Sequence, residues 1–337
     1  MAPGVEVARV GTDKWSISVR GFNGRFANKL QVLMDGRSVY TPLFSGVIWS
    51  QQDTLMEDIE RIEVIRGPGA TVWGANAVNG VINIITKKAI DTQGAMITAG
   101  GGSFEQGFIG MRYGGKINEV TPFRIYAKGF SRDNTHSLAG SNLQDNWRSA
   151  RAGFRLDHTR GIDQLTLQGD VFINRIGDSL LQPTLISPFS RLDVVDTTEK
   201  GGNIRFRWDR NFSDQSSIML QTYYDRVQNQ LTPWTKYAES FDIDFQHRLP
   251  ILKNHDVTWG LNYRLYHNKV AETELTQFNP AQKTNHNFSA FIRDEVTVIP
   301  EKLSLSIGTR LDHNDFTGLE IQPSGRLMLT PNEYHSI

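Results

Sequence analysis

Cysteine is absent from the 337 residues, which excludes disulfide frameworks, thiolate metal sites and cysteine nucleophiles together. Neither sign of charge is in excess: 36 Lys and Arg face 36 Asp and Glu. A chain without net positive charge lacks the footprint of a phosphate-neutralising partner, so no nucleic acid is expected. No run approaches the roughly 18 consecutive apolar residues of a helical membrane span. The opening MAPGVEVARVGTDKWSISVR has no basic region leading into an apolar one, so no signal peptide is visible. A β-barrel span escapes such a test, because its lipid-facing residues alternate with polar ones. Hydrophobic residues make up 39% of the chain, alongside 30 glycines, a composition of folded rather than disordered sequence.

Reactive constellations are also scarce. The eight histidines show no i, i+2 or i, i+4 pair, so no metal-ligand spacing appears. Gly67-Pro68-Gly69 lacks both the dinucleotide spacing and the Gly-Lys-Ser/Thr ending of a phosphate loop. No nucleophile, base and carboxylate sit in a recognisable order, so neither an enzyme nor a resident cofactor is expected.

The pattern that is present changes near residue 90. Before it, compact hydrophobic runs (ISVRGF, LQVLMDGRSVY, IERIEVIRGPGATVWG, NGVINIITKK) are punctuated by glycine. They read as short strands, with one helix-like stretch from about Asp53 to Ile59. VLMDGRSVY is a hairpin signal, since Asp35-Gly36 tolerates the positive φ of a tight turn, and a plain surface hairpin is the expectation. Arg66-Gly67-Pro68-Gly69 reads as a sharp, stiff reversal.

After residue 90 the hydrophobic period becomes two. Ala150, Ala152, Phe154 and Leu156 alternate with Arg151, Gly153, Arg155 and Asp157; Val257, Trp259, Leu261 and Tyr263 oppose Thr258, Gly260, Asn262 and Arg264. About twelve strands follow from this pattern. Their connections alternate: short turns near 115–121, 159–162, 211–215, 251–255 and 300–302, and long loops at 131–146, 175–200, 228–239 and 268–285. Short turns on one edge and long loops on the other are the asymmetry of outer-membrane barrels, whereas sandwich strands are shorter and less regular. Arg151, Arg155, Arg205, Arg207, Asp209, Asp242 and Asp244 then face a hydrated lumen, and Trp208, Trp259 and Tyr263 face outward as aromatic-belt candidates. Asp294 breaks the apolar register of Phe288, Ala290, Ile292 and Val296, which predicts a bulge or an interfacial depth there.

The segments ISVRGF (17–22), VLMDGRSVY (32–40) and EDIERIEVIRGPGATVWGANAVNGVINIITKKA (57–89) resemble the plug domain of TonB-dependent outer-membrane receptors. With the loop pattern, the resemblance covers nearly the whole chain. It implies a plug domain (α+β, mixed sheet) at 1–90, its N-terminus missing, followed at 91–337 by the N-terminal part of a transmembrane antiparallel β-barrel. That barrel is incomplete, with about 12 of an expected 22 or so strands. The implied function is energy-coupled uptake of a scarce ligand across the cell outer membrane. A ferric siderophore is the first expectation, with cobalamin, haem or copper chelates as alternatives. The implied partners are the TonB complex, whose contact segment is absent from this chain, the siderophore-like small molecule and outer-membrane lipid. A passive porin-like barrel or a non-transporting fragment are the rival readings.

The resemblance also places site residues. The plug stretches 22–29, 41–53 and 70–73 match the family's apical loops and offer Arg25, Phe26, Phe44, Trp49 and Trp73. Aromatics with an arginine suit a flat anionic iron chelate, while packing under the loop is the alternative for Phe44 and Trp49. Arg20 and Arg66 match plug arginines that latch onto acidic groups of the barrel wall, with partners expected beyond residue 337.

Overall fold

The computed structural model describes residues 3–21, 23–67, 74, 77–137, 139–231, 234–273 and 277–330. The N-terminal part is built from short strands. β1 (Val5–Arg9) pairs antiparallel with β2 (Trp15–Val19). β3 (Leu30–Met34) and β4 (Arg37–Ser38) form a hairpin, and the small β5 (Tyr40–Thr41) and β6 (Gly46–Val47) pair after it. β7 (Ile59–Arg66) and β8 (Gly80–Thr86) complete a four-stranded sheet of order β4-β3-β8-β7, in which β3 and β8 are parallel and the other pairs antiparallel. This is the mixed sheet expected of a plug.

Covered on both faces, β3 reads as a continuous apolar run and is buried at every position. Val19, Leu30, Val32, Met34, Val39, Val47 and Ile82 form its core, with Trp49 packed against it. The edge strand β7 instead carries Glu60, Arg61 and Glu63, paired with one another at 2.7–2.8 Å, and such charges discourage edge-to-edge pairing. The helix-like stretch 53–59 is a single 3₁₀ turn, Met56–Asp58, preceded by another at Trp49–Gln51. Asp58 is drawn to two wall arginines, and the chain passes directly into β7.

Asp35 and Gly36 both have positive φ, 51° and 83°, so the hairpin turn is of the primed kind that matches strand twist. Its tip is not at the surface. It is buried against the wall, which corrects the surface-hairpin expectation: a Cβ at Gly36 would lie 2.8 Å from Gln221 Oε1.

A 3₁₀ turn at Ala89–Thr92 leads into a twelve-stranded antiparallel sheet in which each strand pairs with its sequence neighbours. The strands are β9 (Gly94–Gly100), β10 (Glu105–Asn118), β11 (Thr121–Arg132), β12 (Trp147–Arg160), β13 (Asp163–Pro183) and β14 (Ser190–Ser213), followed by β15 (Ser216–Leu231), β16 (Trp234–Leu252), β17 (His255–Ala271), β18 (Gln282–Ile299), β19 (Leu303–Asn314) and β20 (Gly318–Leu329). The count matches the sequence pattern. Among the described residues the sheet is open, β9 and β20 each having one neighbour. No helix among them is long and apolar enough to cross a membrane.

Of the connections expected as long loops, 175–200 and 228–239 are largely strand, and 268–285 is strand at both ends. β13 and β14 stay paired out to Pro183 and Ser190, β15 runs to Leu231 with β16 starting at Trp234, and β17 and β18 stay paired from Lys269 and Gln282. Above the lipid the outer face need not be apolar, so the period-two signal fades while the hydrogen-bonded ladder continues.

The outer face is apolar and exposed: Ile125 52%, Val171 63% and Leu261 53%. Trp208, Trp259 and Tyr263 lie on it. Trp208 donates through Nε1 to Asp163 at 2.8 Å, Trp259 makes tilted and edge-on ring contacts with Phe245 and His247, and Tyr263 is hydrogen-bonded to His286 at 2.9 Å. Asp294 sits without a bulge, opposite Val257 and 2.7 Å from His255 at the start of β17. Interfacial depth and an imidazole partner therefore account for a carboxylate in an apolar register.

Candidate ligand mouth and plug seat

The wall's inner face holds the plug through polar contacts at three heights. Nearest the short turns, Asp58 is fully buried and pairs with Arg112 and, at 3.5 Å, with Arg124. Arg124 also donates to Lys87 O at 2.7 Å, Ala89 N donates to Asp157 at 2.7 Å, and Arg155 donates to Thr86 Oγ1 at 3.1 Å. At mid-height the β3–β4 turn enters the wall. Asp35 accepts from Thr86 N, Thr86 Oγ1 and Gln168 Nε2, each at 2.8 Å, and Arg205 donates to its carbonyl. Arg37 pairs with Asp225 at 2.6 Å, and Lys128 with Asp53 at 2.8 Å. Burial pushes the Asp35 carboxyl up, but the Arg205 charge and the donors from Thr86 and Gln168 outweigh it and hold the group below its usual value.

Toward the long-loop end the Trp49–Gln51 turn is clamped by a buried anion. Glu199 of β14 accepts from Ser50 Oγ at 2.9 Å, Gln51 Nε2 at 3.2 Å, and the amides of Asn174 and Asn229 at 3.1 Å each. Asn174 and Arg151 meanwhile donate to the carbonyls of Ser50 and Gln51. Lys14 pairs with Asp178 at 2.8 Å and Thr12 N donates to Asp145 at 2.9 Å. Asp13 beside them has its carboxyl pushed up to about 6, chiefly by burial; Lys14 lowers it and Glu199 raises it.

At this end the structure brings together three of the residues named from the apical loops. The Phe26 and Phe44 rings stack at 5.2 Å and 11°, and the Arg25 guanidinium lies 5.2 Å from the Phe26 centroid. The wall adds a residue that the sequence did not single out: Lys236 of β16, buried, with Nζ 4.8 Å from the Phe44 ring and 3.5 Å from Thr41 Oγ1. Two cations therefore flank a flat aromatic pair. Trp49 is set apart, half-buried on the plug core. Trp73 lies outside the described residues, as does the rest of 68–73.

Arg20 and Arg66 are exposed, and Arg20 reaches the backbone next to Arg66. Arg20 Nη1 lies 3.3 Å from where a Cβ on Gly67 would stand. Neither makes an ion pair among the described residues. Pairs that do join plug and wall, such as Asp58 with Arg112 and Arg124, Arg37 with Asp225, Asp53 with Lys128 and Lys14 with Asp178, were missed because their partners are far apart in sequence. The one available signal was charge at positions flanking apolar plug runs.

Several known proteins are similar to this chain in sequence or in fold. A family model described as the TonB-dependent receptor plug domain matches residues 1–81. The iron-regulated outer membrane virulence protein of Vibrio cholerae is 25% identical over 356 residues, covering 95% of this chain and 49% of that protein. The vitamin B12 transporter BtuB of Vibrio vulnificus is 37% identical over 106 residues, or 31% of this chain and 16% of the transporter. The chain thus spans about half the length of the relative that it matches almost throughout. Among solved structures, the siderophore receptor PirA of Acinetobacter baumannii superposes with a TM-score of 0.73 at 18% identity, covering 99% of this chain and 56% of that one. The ferric enterobactin receptor of Pseudomonas aeruginosa gives 0.71 at 19% identity, with 98% and 57% covered. A plug of mixed topology seated on an antiparallel wall with an apolar outer and a polar inner face is thus the fold of these solved receptors, and residues 1–81 carry a TonB-dependent receptor plug domain.

Proposed function

We propose that the chain is the plug and the first part of the wall of a receptor that imports an iron chelate, most simply a ferric siderophore, with energy delivered through TonB. The observation that carries this reading is the mouth cluster. Stacked Phe26 and Phe44, with Arg25 on one side and Lys236 on the other, form a flat, cationic platform for a planar anionic chelate. Trp73, in the apical segment 70–73, completes the proposed set, whereas Trp49, named with it from the apical segments, packs on the plug core and is assigned to stability. Arg20 and Arg66 are the proposed latch between plug and wall. The chelate is cargo, and no resident cofactor is invoked.

The V. cholerae relative, matched over nearly the whole chain, is named as iron-regulated, and the structural neighbours are titled a ferric enterobactin receptor and a siderophore receptor. Cobalamin is the second reading, favoured by the higher local identity to a vitamin B12 transporter. A fluorescence-quenching titration of the full-length receptor separates the two. Ferric catecholate or hydroxamate chelates should quench to saturation, and cobalamin should not. Saturation by cobalamin alone would transfer the assignment to the second reading.

A further inference from the structure

The outer face of the wall carries its charge differently at the two edges of the apolar band. On β13, ten residues separate Leu165 from Arg175 on that face. At about 3.3 Å per residue and a tilt of about 40° they span about 25 Å, the height of the apolar band of a membrane barrel. Arg175 therefore stands at the outer-leaflet edge. Arg148 of β12 lies directly opposite it across the ladder, and Lys200 of β14 lies opposite Ile173, two residues lower. Ladder rows climb toward the long loops by about one residue per strand: the row through Arg160, at the β12–β13 turn, reaches His247 four strands later, five residues short of the end of β16. That climb brings Arg148 and Lys200 to one height.

Like charges directly opposite one another on a ladder repel, and no protein group on this patch relieves the repulsion. All three cations are exposed, and none makes an ion pair or side-chain hydrogen bond among the described residues. Asp196, on the same face of β14, stands opposite Gly177, two residues beyond the row of Arg175, and is not ion-paired to it. Elsewhere the outward cations are balanced. At the short-turn edge Asp163 sits between Arg160 and Arg210 across the ladder and holds Arg210 at 2.8 Å. On β15, next along the outer edge, Arg226 faces Glu239 at 3.4 Å. The unbalanced patch is thus confined to three strands at one edge, directly above the exposed apolar side chains of Ile173 and Ile204.

We propose that Arg148, Arg175 and Lys200 are a seat for the phosphates of one outer-leaflet glycolipid headgroup, whose acyl chains lie on the apolar strip below. Charge complementarity selects this class of lipid. Three cations across two strand spacings, roughly 10 Å, match a headgroup with more than one phosphate, whereas the amine of a zwitterionic headgroup would be repelled. Guanidinium groups take phosphate oxygens in pairs, and acyl chains beneath hold the phosphates at this height. The seat lies on the opposite face of the wall from the mouth cluster and is independent of what the receptor imports.

The test uses the full-length receptor in a neutral detergent, titrated with diphosphorylated lipid A, its dephosphorylated form and inorganic phosphate, with bound lipid counted by native mass spectrometry. The wild type should bind one diphosphorylated molecule about a hundredfold more tightly than the triple variant Arg148→Gln, Arg175→Gln, Lys200→Gln. Dephosphorylated lipid A should bind both alike, and inorganic phosphate should not displace the lipid. Equal affinity of wild type and triple variant for the diphosphorylated lipid would overturn the proposal. Displacement by inorganic phosphate would also overturn it, making the patch a site for free anions. Arg175→Glu separates binding from a structural role. Its carboxylate, flanked by Arg148 and Lys200, relieves the repulsion, so this variant should melt at a higher temperature in lipid-free detergent while binding lipid A about tenfold more weakly. Lipid binding at wild-type strength would overturn the proposal. A receptor that binds no ferric chelate would fail the cargo assignment and leave these results standing.

Discussion

In the plug, Val32 on β3 and Val81 on β8 are fully buried among apolar neighbours; in the wall, the side chains buried to the same degree are Asn174, Lys236 and Asp242, while Ile125 and Val171 are exposed. The two regions are inverted because their surroundings are. The plug orders itself by removing hydrocarbon from water. The wall has lipid outside and water or plug inside, so its strands present apolar residues outward and satisfy their backbone through the ladder. The seam between them is consequently polar on both sides, and the plug is seated by charges and hydrogen bonds rather than by a shared hydrophobic core.

The strongest way to break that contrast is at Asp58. Asp58→Ala leaves Arg112 and Arg124 without their carboxylate, a loss of about 3–5 kcal/mol for a buried pair. The full-length receptor should stay in the membrane but become sensitive to bulky antibiotics. Unchanged sensitivity would show that the seam does not hold the plug.

Next comes the β3–β4 turn. Gly36→Ala meets both a left-handed φ and Gln221 at 2.8 Å, whereas Gly161, with φ of 60°, has open space around its Cβ position. Gly36→Ala should cost about 1–2 kcal/mol from φ alone, plus the displacement of Gln221, and Gly161→Ala only the φ strain. Equal losses in thermal unfolding would mean that the buried turn is no more constrained than an exposed one.

Phe44→Ala and Trp49→Ala sharpen the comparison within the plug. Phe44→Ala should weaken chelate binding about tenfold with little change in stability, from loss of a stacked, cation-flanked ring. Trp49→Ala should lower plug stability and leave affinity near wild type. The reverse pattern in a titration paired with a melting curve would exchange their roles.

The smallest effect is in pH. Asp13 holds its proton more tightly in the folded plug, with a pKa of about 6 against the 3.8 of an ordinary aspartate. Its contribution is full below 3.8 and is lost as pH rises through 6. Asp35 behaves oppositely: its lowered pKa gives stability above 3.8 that disappears as pH falls through its folded value. Hydrogen exchange of plug amides should show protection declining between about pH 4 and 6, and Asp13→Asn should flatten that decline. A decline that persists in Asp13→Asn would assign it to another group.

Much of the fold was legible because its signals are local. The alternation around Ala150–Leu156 and Val257–Tyr263 reports strand and face directly, and Asp35-Gly36 reports its turn. The outer ends of β13 to β18 were not legible, because above the lipid nothing enforces an apolar face. The site was legible in part. Arg25, Phe26 and Phe44 lie in segments whose composition suits a ligand mouth, but Lys236 looks like any lysine at the start of a strand until Phe44 and Thr41 are set beside it.

By itself the sequence determined two kinds of strand, their number, their faces and the asymmetry of their connections, since each depends on residues a few positions apart. Only the tertiary structure decided which charges meet. Arg37 reaches Asp225 and Ser50 reaches Glu199 because the stagger of the wall strands sets their heights relative to the plug, and a period of two states which face a residue occupies while carrying no information about height.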